Sequence, residues 1–149
     1  MSALDGLSPG VERLLEGSGW SRDRRVSIGA WDAILRGEGY RLSPCAEEIL
    51  RGLGGLRVRP VGTGPYTHDL LFEPELAGSG AYDIAEQFEE QFGQRFYPIA
   101  EWISNACVFL GDAGKVVSYD DIERLDIADT FADALDIILL GVREPRVID

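Results

Sequence analysis

Histidine and cysteine are scarce in this sequence: 149 residues include one histidine, His68, and two cysteines, Cys45 and Cys107. Common structural zinc sites take four cysteine or histidine ligands, so these residues cannot complete one. A chain of this length buries about 68–70% of the surface that its unfolded form exposes, so its fold requires neither a disulfide nor a metal. We therefore expect no cofactor and no metal ion.

Long apolar runs are also absent. No stretch approaches the roughly 20 apolar residues that a membrane-spanning helix requires. The N-terminal segment lacks the basic start and the apolar stretch of a secretion signal. These absences predict a cytoplasmic protein with no membrane partner. No glycine-rich loop stands between a predicted strand and a predicted helix, so a nucleotide-binding site is not expected.

Basic residues are outnumbered: 14 Lys and Arg against 26 Asp and Glu give a formal net charge of -12. A nucleic-acid-binding surface carries a basic patch, so this balance argues against a nucleic-acid partner. The excess of acidic residues lies in the second part of the chain. Residues 1–60 carry nine basic and eight acidic residues, whereas residues 61–149 carry five basic and eighteen acidic residues. This asymmetry predicts a polarised surface, although solubility alone also explains a negative charge.

Helix and strand signals divide the chain into short elements. Ser8-Pro9 and Ser43-Pro44 each combine a capping serine with a proline suited to a first helical turn. Further helices are predicted around 31–35, over 82–92 and from Thr130 to Gly141. Apolar patterns predict strands at 56–60, 68–72, 106–110 and 116–119, with a hairpin loop at 111–114. The whole chain, 1–149, is therefore predicted to be one α+β domain with a mainly antiparallel sheet.

Residues capable of chemistry are present but isolated. His68-Asp69 lacks the further ligands of a metal-dependent hydrolase, and Cys45 has no histidine near it in sequence to make it a nucleophile. Glu101 follows and precedes large apolar side chains, an environment that raises a carboxyl pKa. The adjacent acids Glu89-Glu90 and Asp120-Asp121 are compatible with cation binding or acid–base catalysis. Structural roles are favoured for each, so a small carboxylate-dependent enzyme is only an alternative.

Several motifs occur in an order that resembles a known family. They are Gly19-Trp20 with Arg25-Val26, Gly39-Tyr40, Leu53-Gly54-Gly55-Leu56, Leu71-Phe72-Glu73-Pro74, Phe96-Tyr97-Pro98-Ile99-Ala100-Glu101, Gly111-Asp112-Ala113-Gly114-Lys115-Val116 and the apolar pattern from Phe131 to Gly141. From Leu14 to Gly141 this order is similar to that of the SUKH superfamily of immunity proteins, specifically its SUKH-three branch. Ala100 departs from the glycine that the family usually has there.

The resemblance implies an interaction protein and no enzymatic activity. Such proteins are encoded beside secreted polymorphic toxins, bind the cognate toxin domain in the cytoplasm and block it. The implied fold is α+β, with one central sheet flanked by helices, as in the related fungal regulators of the cell wall. Many of the toxins act on nucleic acid, so the expected partner is a nuclease or nucleobase deaminase domain with a basic active face. A general protein-interaction or scaffold module is the alternative.

The motifs also separate residues that support the fold from residues that bind a partner. Tryptophan, tyrosine, proline and leucine at element ends chiefly fix packing and turns. The predicted fold residues of this kind are Trp20, Tyr97, Pro98 and Leu135.

The acidic part of the chain supplies the predicted partner-binding residues, because an inhibitor that covers a basic face is expected to be acidic. The first group, the C-terminal acidic set, comprises Asp120, Asp121, Glu123, Asp126, Asp129, Asp133 and Asp136. Within it, Asp129, Asp133 and Asp136 are predicted to share one face of a helix. The second group, the helical acidic set, comprises Glu86, Glu89 and Glu90.

Overall fold

The computed structural model describes residues 3–102 and 105–148. Within them the helices are α1 (Pro9–Gly17), α2 (Gly29–Glu38), α3 (Pro44–Leu53), α4 (Pro74–Gly78), α5 (Tyr82–Phe92) and α6 (Phe131–Leu135), followed by a π-helical turn (Asp136–Leu140). The strands are β1 (Arg57–Val58), β2 (Leu70–Leu71), β3 (Phe96–Trp102), β4 (Ala106–Gly111), β5 (Val116–Tyr119), β6 (Arg124–Ala128) and β7 (Arg146–Ile148). No helix in these ranges is long and apolar enough to cross a membrane.

All seven strands join one antiparallel sheet, in which each strand pairs with the next one along the chain. The predicted α+β class with a mainly antiparallel sheet is therefore confirmed. The predicted strands at 106–110 and 116–119 are present, whereas the two predicted at 56–60 and 68–72 are shorter than expected, at two residues each.

Hydroxyl caps begin three of the helices where the sequence predicts them. Ser8 Oγ accepts a hydrogen bond from the Val11 backbone N–H at 3.4 Å, and Ser43 Oγ accepts one from Ala46 at 3.2 Å. Thr130 Oγ1 accepts from the Asp133 backbone N–H at 3.1 Å. Each cap satisfies one of the N–H groups that the first turn of a helix leaves without an intrahelical partner.

Strand β3 is not predicted from the sequence pattern. No strand is expected between the predicted strands at 68–72 and 106–110, but Phe96–Trp102 is a strand. Proline lacks the N–H that a sheet ladder uses, and it is tolerated at edges and bulges. Pro98 lies at such an irregularity, because the register with β4 shifts between Pro98 and Ala100. Ala100 is buried there without a left-handed backbone, so the position does not require glycine.

Helices cover both faces of the central strands. On one face, the Phe88 ring of α5 lies 5.8 Å from Phe96 and 5.9 Å from Phe109, measured between ring centroids. On the other face, Leu110 lies beside Ile49 of α3 and Phe131 of α6. Every residue of β4 is therefore buried. A strand covered on both faces has a continuous apolar sequence, which is why β4 is recognisable from sequence alone.

The C-terminal third contains the largest corrections, because β6 and β7 are strands that the sequence pattern does not predict. In the middle of the chain, helix α4, which begins at Pro74, is also not predicted. The helix predicted from Thr130 to Gly141 is α-helical only as far as Leu135, after which it widens into the π-helical turn. Asp129 precedes this helix, so it is not on a helical face.

Candidate partner-binding surface

The C-terminal acidic set does not form one surface. Asp120, Asp121 and Glu123 lie in the turn between β5 and β6, whereas Asp129 lies beyond the far end of β6. A five-residue strand spans about 17 Å at roughly 3.3 Å per residue, so the two ends are well separated. The predicted common helical face for Asp129, Asp133 and Asp136 is wrong, because Asp129 precedes α6 and Asp136 begins the π-helical turn that follows it.

Backbone and side-chain hydrogen bonds hold the turn between β5 and β6. Asp120 Oδ1 accepts from the backbone N–H groups of Ile122 and Glu123, both at 2.8 Å. The Tyr66 hydroxyl donates to Glu123 Oε1 at 3.1 Å. Burial of Tyr66 and this hydrogen bond, with the charge of Glu123, raise the pKa of the tyrosine. Asp121 is exposed, whereas Asp120 and Glu123 are half-buried.

Lys115 forms ion pairs with two members of the set. Its Nζ lies 3.0 Å from Asp126 Oδ2 and 2.9 Å from Asp129 Oδ1, and it stands 4.7 Å from the centroid of the Phe92 ring. Burial works to lower the pKa of Lys115, but the hydrogen bonds and charges of the two aspartates outweigh it and raise that pKa. The hydrogen bond from Lys115, followed by its charge, lowers the pKa of Asp129. Asp126 and Asp129 therefore serve an internal ion pair.

Asp136 has an internal role as well. The Ser8 hydroxyl donates to Asp136 Oδ1 at 2.7 Å, which joins the start of α1 to the π-helical turn. Ser8 also lies in the segment Gly6-Leu7-Ser8-Pro9-Gly10, which has the Gly-x-Ser-x-Gly pattern of a hydrolase nucleophile elbow. A nucleophile elbow lies between a strand and a helix, whereas a turn precedes α1 here, so Ser8 is a capping residue.

The helical acidic set presents its charges differently. Glu86, Glu89 and Glu90 are exposed on the outer face of α5, while Ile84 and Phe88 bury the inner face. Among the hydrogen bonds and ion pairs of the described residues, none involves a carboxylate of this set.

Two arginines stand near the helical acidic set without forming ion pairs with it. Arg41 and Arg95 line a cavity of about 290 Å³ together with Glu86 and Glu89. Arg124 of β6 donates a hydrogen bond to Gln87, which ties the same helix to the sheet beside the β5–β6 turn. The carboxylates of the helical acidic set are therefore exposed and outside the ion pairs of the described residues.

The residues considered for catalysis are dispersed. His68 Nε2 lies 2.9 Å from the Pro65 carbonyl oxygen, on the exposed wall of a cavity of about 360 Å³ that Asp69 and Glu101 also line. Cys107 is paired opposite Glu101 in the sheet; burial, and then the charge of Glu101, raises the pKa of its thiol well above the ordinary value. No group of three or more His, Cys, Asp or Glu in residues 3–102 and 105–148 is arranged to hold a metal ion.

A further feature is not visible in the sequence. An apolar groove lies where the start of α3, the β4–β5 turn and the start of α6 meet. Its residues come from four segments that are distant in sequence, with Ala3 in the first, Pro44 and Cys45 in the second, Leu110 in the third and Ala132 in the fourth. No local pattern joins them, so only the packing of the elements reveals the groove.

The chain matches one protein-family model, described as SUKH-3 immunity protein, over residues 7–141. Comparison with curated proteins and with solved structures gives no significant match. The matched range covers nearly the whole chain and extends over all the motifs that suggested the family in the sequence. A role in toxin immunity follows from the family. The chain belongs to the SUKH-3 immunity protein family.

Proposed function

We propose that this chain neutralises a cognate polymorphic toxin by binding its toxic domain in the cytoplasm, and that this domain is a nuclease or a nucleobase deaminase. The family supports the immunity role. The observation that carries the finer proposal is the row of exposed carboxylates without ion pairs on α5, in a chain of net charge -12. The proposal requires no cofactor and no catalytic step by this chain.

Charge complementarity connects that observation to the class of toxin. An enzyme that acts on nucleic acid attracts a polyanion, so the face around its active site is basic. An acidic surface that covers this face blocks the substrate and also steers the two proteins together, with association rates raised about 10- to 1,000-fold. The exposed carboxylates of Glu86, Glu89 and Glu90 fit that requirement.

We propose different parts for the members of the two acidic sets, according to their contacts. Asp121, in the turn beside α5, is exposed and joins the helical acidic set as a direct contact. The exposed Asp133 lies on α6, on the other face of the sheet, and is a separate contact. The other five members of the C-terminal acidic set already accept internal hydrogen bonds or ion pairs; they are Asp120, Glu123, Asp126, Asp129 and Asp136. We propose that these five contribute charge to the surface more than contact.

The test uses the toxic domain encoded beside this gene. Co-expression of that domain is expected to kill the host cell, and simultaneous expression of this chain is expected to restore growth. The purified proteins should form a complex whose association rate falls steeply as salt is added, because salt screens exposed charges. Failure to restore growth, together with the absence of a complex at low salt, would show that the proposed function is wrong.

A further inference from the structure

The apolar groove lies beside the acidic residues already described. It has a volume of about 450 Å³ and is bounded by α3, the β4–β5 turn and the first turn of α6. Its floor consists of Ile49, Leu110 and Phe131, each of which is at most 5% exposed because it also belongs to the core. The floor is therefore rigid, since its side chains are held by the packing beneath them.

Smaller side chains form the walls of the groove. Pro44 and Cys45 contribute one side, and Ala113 and Ala132 contribute the others. Most of the exposed lining is apolar. Binding pockets of this size, about 300–1,000 Å³, are typically lined mainly by apolar groups, with a few polar groups that fix orientation.

Only acids supply charge to the lining of the groove. Asp5, Glu48 and Asp129 lie at its edge, and no lysine or arginine is among the described residues that line it. Asp5 shares Arg22 with Glu12, and Asp129 shares Lys115 with Asp126, so each of these two cations contacts two carboxylates and the edge keeps a negative charge. The side chain of Asp129 remains 88% exposed although Lys115 contacts it. The Lys115 side chain is only 12% exposed. A ligand that enters the groove therefore meets an apolar floor and a negative edge.

We infer that the groove receives an apolar side chain carried on a basic segment of the cognate toxin domain. This inference rests on the proposed function and deepens it by naming the chemistry of the contact. The apolar side chain packs on Ile49, Leu110 and Phe131, and the flanking lysines or arginines face the acidic edge. Interface energy concentrates in such anchors, which fill a pocket that surrounding polar contacts protect from water.

Cysteine footprinting tests the contact without changing the protein. Cys45 is half-buried in the groove wall, and Cys107 is 3% exposed in the core, so the chain carries one reporter thiol and one internal control. N-ethylmaleimide should modify Cys45 in the free protein and leave Cys107 unmodified. In the complex with the toxic domain encoded beside this gene, modification of Cys45 should be slower by about tenfold or more if the groove is filled.

A substitution that fills the groove provides a second test. Ala132→Trp places an indole where the toxin side chain is expected, and it should weaken toxin binding by about tenfold or more. Ala33→Trp is the matched control, because Ala33 is an exposed alanine on another helix, α2. The control should bind normally, and both variants should retain the melting temperature of the parent. If Ala132→Trp melts early, the footprint of the unchanged protein decides the question.

Each other outcome overturns the inference in a recognisable way. Toxin neutralisation with unchanged modification of Cys45 would leave the proposed function standing and remove the groove from the interface. Resistance of Cys45 in the free protein would show that the chain covers its own groove. Protection that grows with protein concentration in the absence of toxin, together with a dimer in sedimentation, would make the groove a contact between two copies. Absence of any complex would overturn the proposed function, and the groove inference with it.

Discussion

At the residue scale, Trp20 connects the segment after α1 to the core. It is 5% exposed, and its indole lies close enough to Gly52 of α3 that an added Cβ there would stand 3.6 Å from Nε1. The Arg22 guanidinium carbon covers its outer side, 5.3 Å from the centroid of the ring. The side chain thus combines apolar burial with a cation–π contact, which agrees with its predicted role in the fold.

Trp20→Ala is expected to destabilise the fold. Truncation of a large buried aromatic side chain costs about 3–5 kcal/mol, through lost burial and the cavity that it leaves. Thermal unfolding followed by circular dichroism should show a clear fall in the melting temperature. Ile122→Ala is the control, because Ile122 is 90% exposed and its truncation removes almost no burial. An unchanged melting temperature with lost toxin binding would instead make Trp20 an interface residue.

One buried thiol and two buried tyrosine hydroxyls make the stability of the fold dependent on pH in the alkaline range. Burial raises the pKa of the Cys107 thiol and also that of Tyr40, whose hydroxyl donates to the Gly78 carbonyl at 2.8 Å. Burial, followed by the hydrogen bond to Asp32, raises the pKa of Tyr97. The unfolded chain loses these protons near the ordinary values of 9.0 and 10.0, whereas the folded protein retains them.

The free energy of unfolding should therefore fall as pH rises above about 9. A group with a raised folded pKa contributes its full stability below the unfolded pKa and loses it as pH rises toward the folded one. Urea titrations between neutral pH and pH 11 measure the slope, and each proton that only the folded state retains adds about 1.4 kcal/mol per pH unit. Tyr97→Phe should flatten the decline above pH 10. A constant free energy of unfolding across this range would contradict the prediction.

At the element scale, the internal ion pair of Lys115 joins separate parts of the sheet and a helix. Lys115 precedes β5, Asp126 lies in β6, Asp129 follows β6, and Phe92 ends α5. The ammonium group thus holds the β4–β5 turn against β6 and the end of α5. Its low exposure of 12% limits solvent screening, so it stabilises the fold more than a surface ion pair does.

Lys115→Met should lower the free energy of unfolding by about 1–2 kcal/mol, because charged hydrogen bonds are lost and Asp126 is left partly buried. Arg57→Met is the control: its pair with Asp69 is exposed, with side chains 59% and 38% accessible, and should contribute little. Chemical denaturation at neutral pH measures both. The pKa of Asp129 is lowered in the folded protein, so the stability that this carboxylate contributes is lost as pH falls below the ordinary value of 3.8. The losses in free energy of unfolding of the two variants should therefore converge at low pH. Equal losses at neutral pH would contradict the assigned role.

The accuracy of the sequence predictions depends on whether an element is defined locally. Helix α5 begins and ends where its sequence predicts, because its apolar spacing and Gly93 are local signals. Strand β3 escapes recognition because Pro98 normally disqualifies a strand, and only the bulge against β4 permits it. Strand β6 lies within an acid-rich segment, and its buried residues Leu125 and Ile127 alternate with the charged residues Arg124 and Asp126.

The candidate surface is also predictable only where local sequence signals determine it. Sequence places Glu86, Glu89 and Glu90 on one exposed helix, and the structure agrees. It cannot show that Ser8 binds Asp136, since the two residues are 128 positions apart. Long-range hydrogen bonds of this kind decide which carboxylates serve the fold and which face solvent.

At the scale of the whole molecule, charge is unevenly distributed. Arg13, Arg57 and Arg59 line a cavity of about 350 Å³ beside α1, whereas two of the exposed acids of α5 line a second cavity with Arg41 and Arg95. Removing the same number of acids at two different places changes the net charge equally but changes the electrostatic potential at different parts of the surface. A comparison of two such variants can therefore distinguish a local steering surface from an effect of total charge.

The triple substitution Glu86→Gln, Glu89→Gln and Glu90→Gln is expected to slow association with the toxic domain by about tenfold at low salt and to flatten its salt dependence. The matched control is Glu16→Gln, Asp23→Asn and Glu144→Gln, which removes three exposed acids elsewhere and changes net charge equally. Stopped-flow association at several salt concentrations measures both, and melting temperatures should hardly move, since exposed charges contribute about 0–1 kcal/mol. If both triple variants slow association equally, only total charge matters. If neither does, Asp121→Asn with Asp133→Asn tests whether the C-terminal acidic set steers the partner instead.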